Sequence, residues 1–311
     1  MKSKQALEHQ VKEKRSASLV VNTHSRQGRR LFSVARDSLE QRGIHVSAAY
    51  PVSDPERLGQ VIEGAIQDNQ KLIIVGGGDG TISSIVGAFA YQDVVLGILP
   101  LGTNNSFART LKIPASLEGA IEVIAQGKVV DVDLGKVGSK YFANTVSIGL
   151  TVDIARKISR PMKRILGPVA YGLVGLQQLA FHRSFGCLLK AETGETIQDV
   201  QTHQVFIANG RFVGVGELSS DASPESGEFI VWVLDTTSRW RLLLLMGALV
   251  LGKHPIFSQA TFLRTKEVKI ETRPPQYIDK DGEITSQTPV TMALAPQSLK
   301  VMAPTSFEEV P

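Results

Sequence analysis

The stretch that decides the fold is "KLIIVGGGDGTISSIVGAF", Lys71 to Phe89. Four apolar residues run straight into three glycines, an aspartate, a glycine and a threonine, and an apolar helical pattern follows. A short, wholly apolar run ending in a turn reads as a buried strand. Glycines at a strand-to-helix turn let backbone N–H groups and the positive helix end face an anion without Cβ obstruction. The helix is expected to begin near Thr81. An aspartate in a phosphate cradle repels the ligand unless a divalent cation lies between them. Asp79 therefore reads as a metal-holding carboxylate. The plainer alternative is a tight turn with Asp79 as a cap. The stretch is neither a P-loop, which needs a lysine after the glycines, nor the dinucleotide fingerprint, whose glycine spacing differs.

Working outward, strands and helices alternate. "ASLVV" (Ala17–Val21) reads as a strand, "RRLFSVARDSLEQRG" as a helix closed by Gly43, and "HVSAAYPV" as a strand. Asp54 and Pro55 open a helix, "VVLGILPLG" is another buried strand, and Ser116 caps the helix "SLEGAIEVIAQGK". This alternation predicts a parallel sheet with helices on both faces. After Val130 the texture becomes strands separated by turns, broken by helices at about 154–182 and 238–252. The prediction is two domains: residues 1–130, an α/β nucleotide-binding domain, and 131–311, an antiparallel β-sandwich-like domain whose last ~10 residues return to the first. Residues 1–16 read as a charged leader, mobile or helical.

Composition sets the frame. The chain has 311 residues, 42% hydrophobic and 21% charged, with formal net charge +4. That mild basicity suits anionic ligands or an anionic membrane surface. One cysteine, Cys187, excludes an intrachain disulfide framework and suits a reducing compartment. The N-terminus lacks the apolar core of a signal peptide. The most apolar run, "LLLLMGALVL" (Leu242–Leu251), is ten residues long, about half a membrane span. A cytoplasmic protein is expected.

A second glycine turn, "LPLGTNNSFAR", follows the next strand. In an open α/β sheet ligands sit outside the carboxyl ends of the strands, so two neighbouring turns make one nucleotide site. Arg109 reads equally as a phosphate contact or a solvated helix arginine. Late in the chain, "YIDKDGE" puts Asp281 on a glycine turn. Phosphoryl transfer needs alignment, charge neutralisation and one acceptor for the alcohol proton. The same "KDGE" is also an ordinary hairpin signal.

The ordered set of "VNTHSRQG", "GGGDGT", "LPLGTNNSFAR", "ANTVSIGLTVDIAR", "FIANGRFVGVGELSSDASPESGEF" and "YIDKDGE" resembles the diacylglycerol kinase catalytic-domain superfamily, related to sphingosine and ceramide kinases, over most of the chain. That resemblance implies an ATP-dependent lipid kinase using Mg²⁺. It would move the γ-phosphoryl group to a hydroxyl of a diacylglycerol-like or sphingoid lipid. Asn22 would touch the nucleotide. Gly77, Gly78, Asp79, Gly80 and Thr81 would wrap the phosphates, with Asp79 near the metal. Gly102, Thr103 and Asn105 would hold the nucleotide from the second turn. Asp281 would be the general base, with Glu283 beside it.

Some positions depart from the family pattern: Ser83-Ser84 for Asn-Glu, Asn105-Ser106 for Asn-Asp, Gly214-Val215-Gly216 for three glycines, and Ser226 before Gly227 at a peripheral metal site. Partners expected are a lipid substrate and a peripheral membrane surface, with no nucleic acid and a homodimer left open. Five cations between Arg156 and Arg164, followed by the apolar stretch Ile165–Phe181, fit an anionic membrane surface or, equally, a solvated loop and core helix. The alternative functions are a small-molecule kinase like NAD kinase and a catalytically impaired nucleotide- or lipid-binding regulator.

Overall fold

A computed structural model describes residues 2–158, 174–178, 181–209, 212–213, 216–217, 225–234, 238 and 260–308. The basic segment from residue 159 to Arg164, most of the apolar stretch after it, and the helix expected at 238–252 lie outside these residues, apart from residue 238.

In the first half the elements are α1 (Lys4–Lys14), β1 (Ser16–Asn22), α2 (Arg26–Gln41), β2 (His45–Val52), α3 (Leu58–Gln67), β3 (Leu72–Gly77), α4 (Asp79–Phe89), β4 (Val95–Pro100), α5 (Ser106–Thr110), α6 (Leu117–Gln126) and β5 (Lys128–Val137). β2, β1, β3 and β4 lie side by side in parallel. β3 and β4 are buried at every position, which is why they read as apolar runs rather than alternations.

The charged leader is a packed helix. Ser3 caps α1 by accepting from the Ala6 N–H, and Leu7 and Val11 enter the main core. Asp54 caps a single 3₁₀ turn, Pro55–Arg57, rather than the α-helix itself. Helix α4 starts at Asp79, two residues before the expected point.

The second half contains β6 (Lys140–Phe142), β7 (Thr145–Gly149), α7 (Leu150–Lys157), β8 (Phe185–Ala191), β9 (Thr196–Thr202), β10 (Gln204–Ala208), β11 (Phe212–Val213), β12 (Gly216–Glu217), β13 (Phe229–Leu234), β14 (Ala260–Thr265), β15 (Glu267–Arg273), β16 (Tyr277–Lys280), β17 (Glu283–Gln287) and β18 (Val290–Ala303). One six-stranded antiparallel sheet runs β14-β13-β10-β7-β16-β17. Its inner residues, among them Ile148, Ile207, Val231 and Ile278, pack with Leu189, Val268 and Ile270 from the facing sheet. This is a sandwich in which alternate residues of each strand point inward.

Strand β18 joins the halves. Its first residues pair with β15, and Lys300 and Val301 pair in parallel with Val95 and Leu96 of β4. It also lies against most of β5, with a bulge between Ala295 and Leu299. The chain therefore crosses from the α/β sheet to the sandwich at residues 138–144 and comes back on β18.

Candidate active site

The two glycine turns are one structure. β3 and β4 pair in register from Leu72–Val95 to Gly77–Pro100, so their carboxyl ends finish together. A Cβ on Gly102 would lie 2.5 Å from the Gly78 Cα and 2.7 Å from the Asn105 Oδ1. A Cβ on Gly77 would lie 2.4 Å from the Thr81 Cβ. Glycine is required here by backbone-to-backbone contact between the turns as well as by any ligand. Asn105 adopts a left-handed conformation, φ 49°, which asparagine tolerates better than most residues. Its side chain closes the second turn, accepting from the Gly102 N–H at 2.9 Å and donating to the Gly102 carbonyl at 3.0 Å.

Asp79 bridges the turns. Its carboxylate accepts long hydrogen bonds from the Phe107 N–H (3.4 Å) and the Ser106 hydroxyl (3.5 Å), at the start of α5. Burial pushes its carboxyl above the usual range, and the donors at Phe107, Ser106 and Asn105 pull the other way. Asn22, at the end of β1, donates to the Thr81 Oγ1 at 2.9 Å and accepts from the His24 N–H at 3.1 Å. Three loops at the carboxyl ends of β1, β3 and β4 are thus linked by side chains. Pro100, Thr103, Asn104, Asn105, Arg109 and Ile113 help line a cavity of about 240 Å³ against the second turn. The two-residue strand β11 packs on α5, so the second half reaches the same place.

Asp281 lies on the late turn. It has φ 49°, followed by Gly282 at φ 91°. Its Oδ2 accepts from the Ala143 N–H at 2.7 Å, and its Oδ1 accepts from Asn144 at 3.0 Å and Thr145 at 2.8 Å. Burial pushes its carboxyl up, opposed by those three donors and by Lys280. None of its hydrogen bonds goes to the glycine turns. Glu283, two residues on, is exposed. Asn22, Gly77–Thr81, Gly102, Thr103 and Asn105 gather at one end of the sheet, while Asp281 is fastened to the crossover between the halves. Sequence reasoning gave no role to Asn209, Lys280 or Asp133, which share that crossover; Asn209 lay within a quoted motif, but its partners are remote in sequence.

Among the described residues no cluster of three or more His, Cys, Asp or Glu side chains could cage a metal. Asp79 is the carboxylate of this turn that could contribute an oxygen ligand to a divalent cation. No helix among these residues is long and apolar enough to cross a membrane.

Residues 16–137 match the diacylglycerol kinase catalytic domain, and residues 144–303 match the YegS C-terminal NAD kinase beta sandwich-like domain. The chain belongs to the diacylglycerol kinase family of bacterial-type lipid kinases. It is a phosphotransferase with an alcohol acceptor. A diacylglycerol kinase of Staphylococcus epidermidis is 26% identical over 281 residues, covering 89% of this chain and 87% of that protein. One of Staphylococcus aureus is 27% identical over 271 residues, 86% of this chain and 84% of its own. The crystal structure of a putative diacylglycerol kinase from Bacillus anthracis superposes with a TM-score of 0.79 at 22% identity. It covers 94% of this kinase and 97% of that chain, which is evidence for the fold.

Proposed function

We propose that this lipid kinase uses ATP, with its phosphates on the paired glycine turns, and transfers the γ-phosphoryl group to the hydroxyl of a diacylglycerol-like or sphingoid lipid. The observation that carries this reading is the contact of Gly78 with Gly102 under the Asp79 carboxylate. It leaves a surface of backbone and helix N-terminus free of Cβ atoms at the carboxyl ends of two adjacent parallel strands, where anions bind. Gly77, Gly78, Gly80 and Thr81 wrap the phosphates. Asn22 fixes the Thr81 hydroxyl, and Thr103 and Asn105 hold the nucleotide from the other side. Asp79 would hold a divalent cation, Mg²⁺ by its oxygen chemistry, which neutralises phosphate charge when bound.

The proton of the lipid hydroxyl goes to the late turn. A base needs a free lone pair within hydrogen-bond reach of the hydroxyl. Asp281 has three of its lone-pair positions filled by backbone donors, so Glu283, exposed on the same turn, takes the proton and Asp281 holds the turn. The lipid is reached at a membrane surface. Support comes from Leu176 and Phe181, 56% and 76% exposed, in the chain stretch that follows the basic residues.

The test is transfer of label from γ-labelled ATP, with Mg²⁺, to diacylglycerol, ceramide and sphingosine in mixed vesicles, with NAD as a control acceptor. Labelled lipid phosphate is expected. Label in NAD alone, or in no acceptor, overturns the reading.

A further inference from the structure

We infer that Asp281, Lys280 and Asn209 are positioning residues that clamp the crossover Tyr141–Thr145 and thereby seat the sandwich half on the nucleotide turns. Its kinetic part rests on the lipid-kinase reading above.

The crossover is the end of β6, the two-residue link Ala143–Asn144 and the start of β7; its backbone is almost fully bonded, and many of the partners come from two short stretches far along the sequence. The Tyr141 carbonyl accepts from the Lys280 Nζ at 2.9 Å. The N–H groups of Ala143, Asn144 and Thr145 all donate to the Asp281 carboxylate. The Thr145 carbonyl accepts from the Asp281 N–H at 2.9 Å. The Ala143 carbonyl accepts from the Asn209 Nδ2 at 3.0 Å, and the Asn144 carbonyl accepts from the Asn209 N–H at 2.8 Å. Buried backbone groups must be paired, and here side chains replace a missing strand partner.

The clamp also grips the first half. The same Asn209 Nδ2 donates to the Asp133 carbonyl on β5 at 2.7 Å. The Asp133 carboxylate in turn accepts from the Gly227 N–H at 3.0 Å and the Gln297 N–H at 2.7 Å, the latter within the bulge of β18. Asn209 stands at the end of β10, three residues before β11, which packs on α5. Asn209 therefore ties the crossover to β5, three residues before the strand that packs on α5. Lys280 and Asn209 are themselves buried, so neither meets substrate directly. Loss of the clamp shifts one half against the other, and a misplacement of about 1 Å at a phosphoryl-transfer centre costs on the order of 10²-fold in rate.

The experiment compares Asn209→Ala, Asp281→Asn and Lys280→Met in the full chain, by steady-state kinetics and by amide hydrogen exchange. Asn209 cannot accept a substrate proton, so it separates positioning from chemistry. The expected result is a fall in kcat of about 10²-fold for Asn209→Ala and Asp281→Asn, with the KM for nucleotide little changed. Amides of Ala143–Thr145 should exchange faster while those of β3 and β4 stay protected. The double variant should lose less than the two single losses combined, because both act on one peptide segment.

A wild-type kcat in Asn209→Ala overturns the proposal. So does an inactive Asp281→Asn chain whose Ala143–Thr145 amides remain as protected as in the parent. If a variant fails to fold, the parent protein decides: Ala143–Thr145 amides exchanging at the rate of exposed loop overturn the clamp, and strong protection with loss in Lys280→Met supports it. A parent chain that labels no lipid overturns the functional reading, and the exchange data still decide the clamp.

Discussion

The glycine turns and the crossover clamp are both built around one aspartate, and they are assembled in opposite ways. At the glycine turns the side-chain contacts span 3 to 59 residues. Asn105 closes its own loop through Gly102, and the two turns meet because their strands are neighbours in the sheet. At the clamp the contacts span 136 to 138 residues, from Asp281 to Thr145, Asn144 and Ala143. Asp79 faces a helix start, with donors at Phe107, Ser106 and Asn105. Asp281 is gripped by three backbone donors at 3.0 Å or less.

The largest effect that separates the two sites is chemical. Glu283→Gln is expected to lower kcat by about 10²–10⁴-fold, the usual contribution of a general base, with an unchanged melting temperature. Parallel kinetics and calorimetry check it, and a loss below about tenfold would remove Glu283 from the chemistry.

Gly102→Ala comes next. Its methyl cannot avoid the Gly78 backbone, so the paired turns must part. Nucleotide affinity should fall by about tenfold or more, the equivalent of ~1.4 kcal/mol, as measured by calorimetric titration. Affinity like that of the parent would mean that the turns open freely.

Asp281→Asn leaves buried N–H donors facing an amide and should cost about 1–3 kcal/mol of stability, read by urea unfolding. Its pH dependence has a definite sign. The folded carboxyl lies above its unfolded value, so the folded state binds the proton more tightly. That part of the stability is fully present below the unfolded value and is lost as pH rises toward the folded one. The deficit of the Asn variant should therefore be greatest in acid and shrink as pH rises through that window. A deficit that grows with pH would reverse the assignment.

Asn22→Ala removes one partly buried hydrogen bond to Thr81. About 0.5–1.5 kcal/mol of stability should go, with a rise in the KM for nucleotide. An unchanged KM would separate this bond from the phosphate cradle.

The smallest expected effect is a gain. Gly64 lies inside α3, with nothing within 4 Å of an added Cβ. Gly64→Ala should stabilise the chain by about 0.5–1 kcal/mol without touching activity. A loss of activity would show that α3 moves during turnover.

Much of the first half was legible because its signals are local. "LIIV", Leu72–Val75, is apolar throughout because β3 has helices or strands on every side, and Ser116 is a cap because its hydroxyl reaches the Gly119 N–H. The leader was less legible. Leu7 and Val11 are only two apolar residues among many charges, and they become a packing face only once β5 supplies a partner. The late turn was legible as a turn, from Gly282, but the three backbone amides that Asp281 accepts from were not, because they lie 136 to 138 residues away.

The sequence by itself determined the α/β half with its parallel strands, the β-rich half after it, and the two glycine turns at the ends of neighbouring strands. Those follow from hydrophobic period, cap chemistry and the absence of Cβ atoms, which act within a few residues. Only the tertiary structure decided that Asp79 links the two turns, that β18 carries one sheet from the first half into the second, and that Asp281 binds the crossover. Each of these depends on which backbone N–H groups were left without a strand partner, and that is settled only when distant segments are brought together.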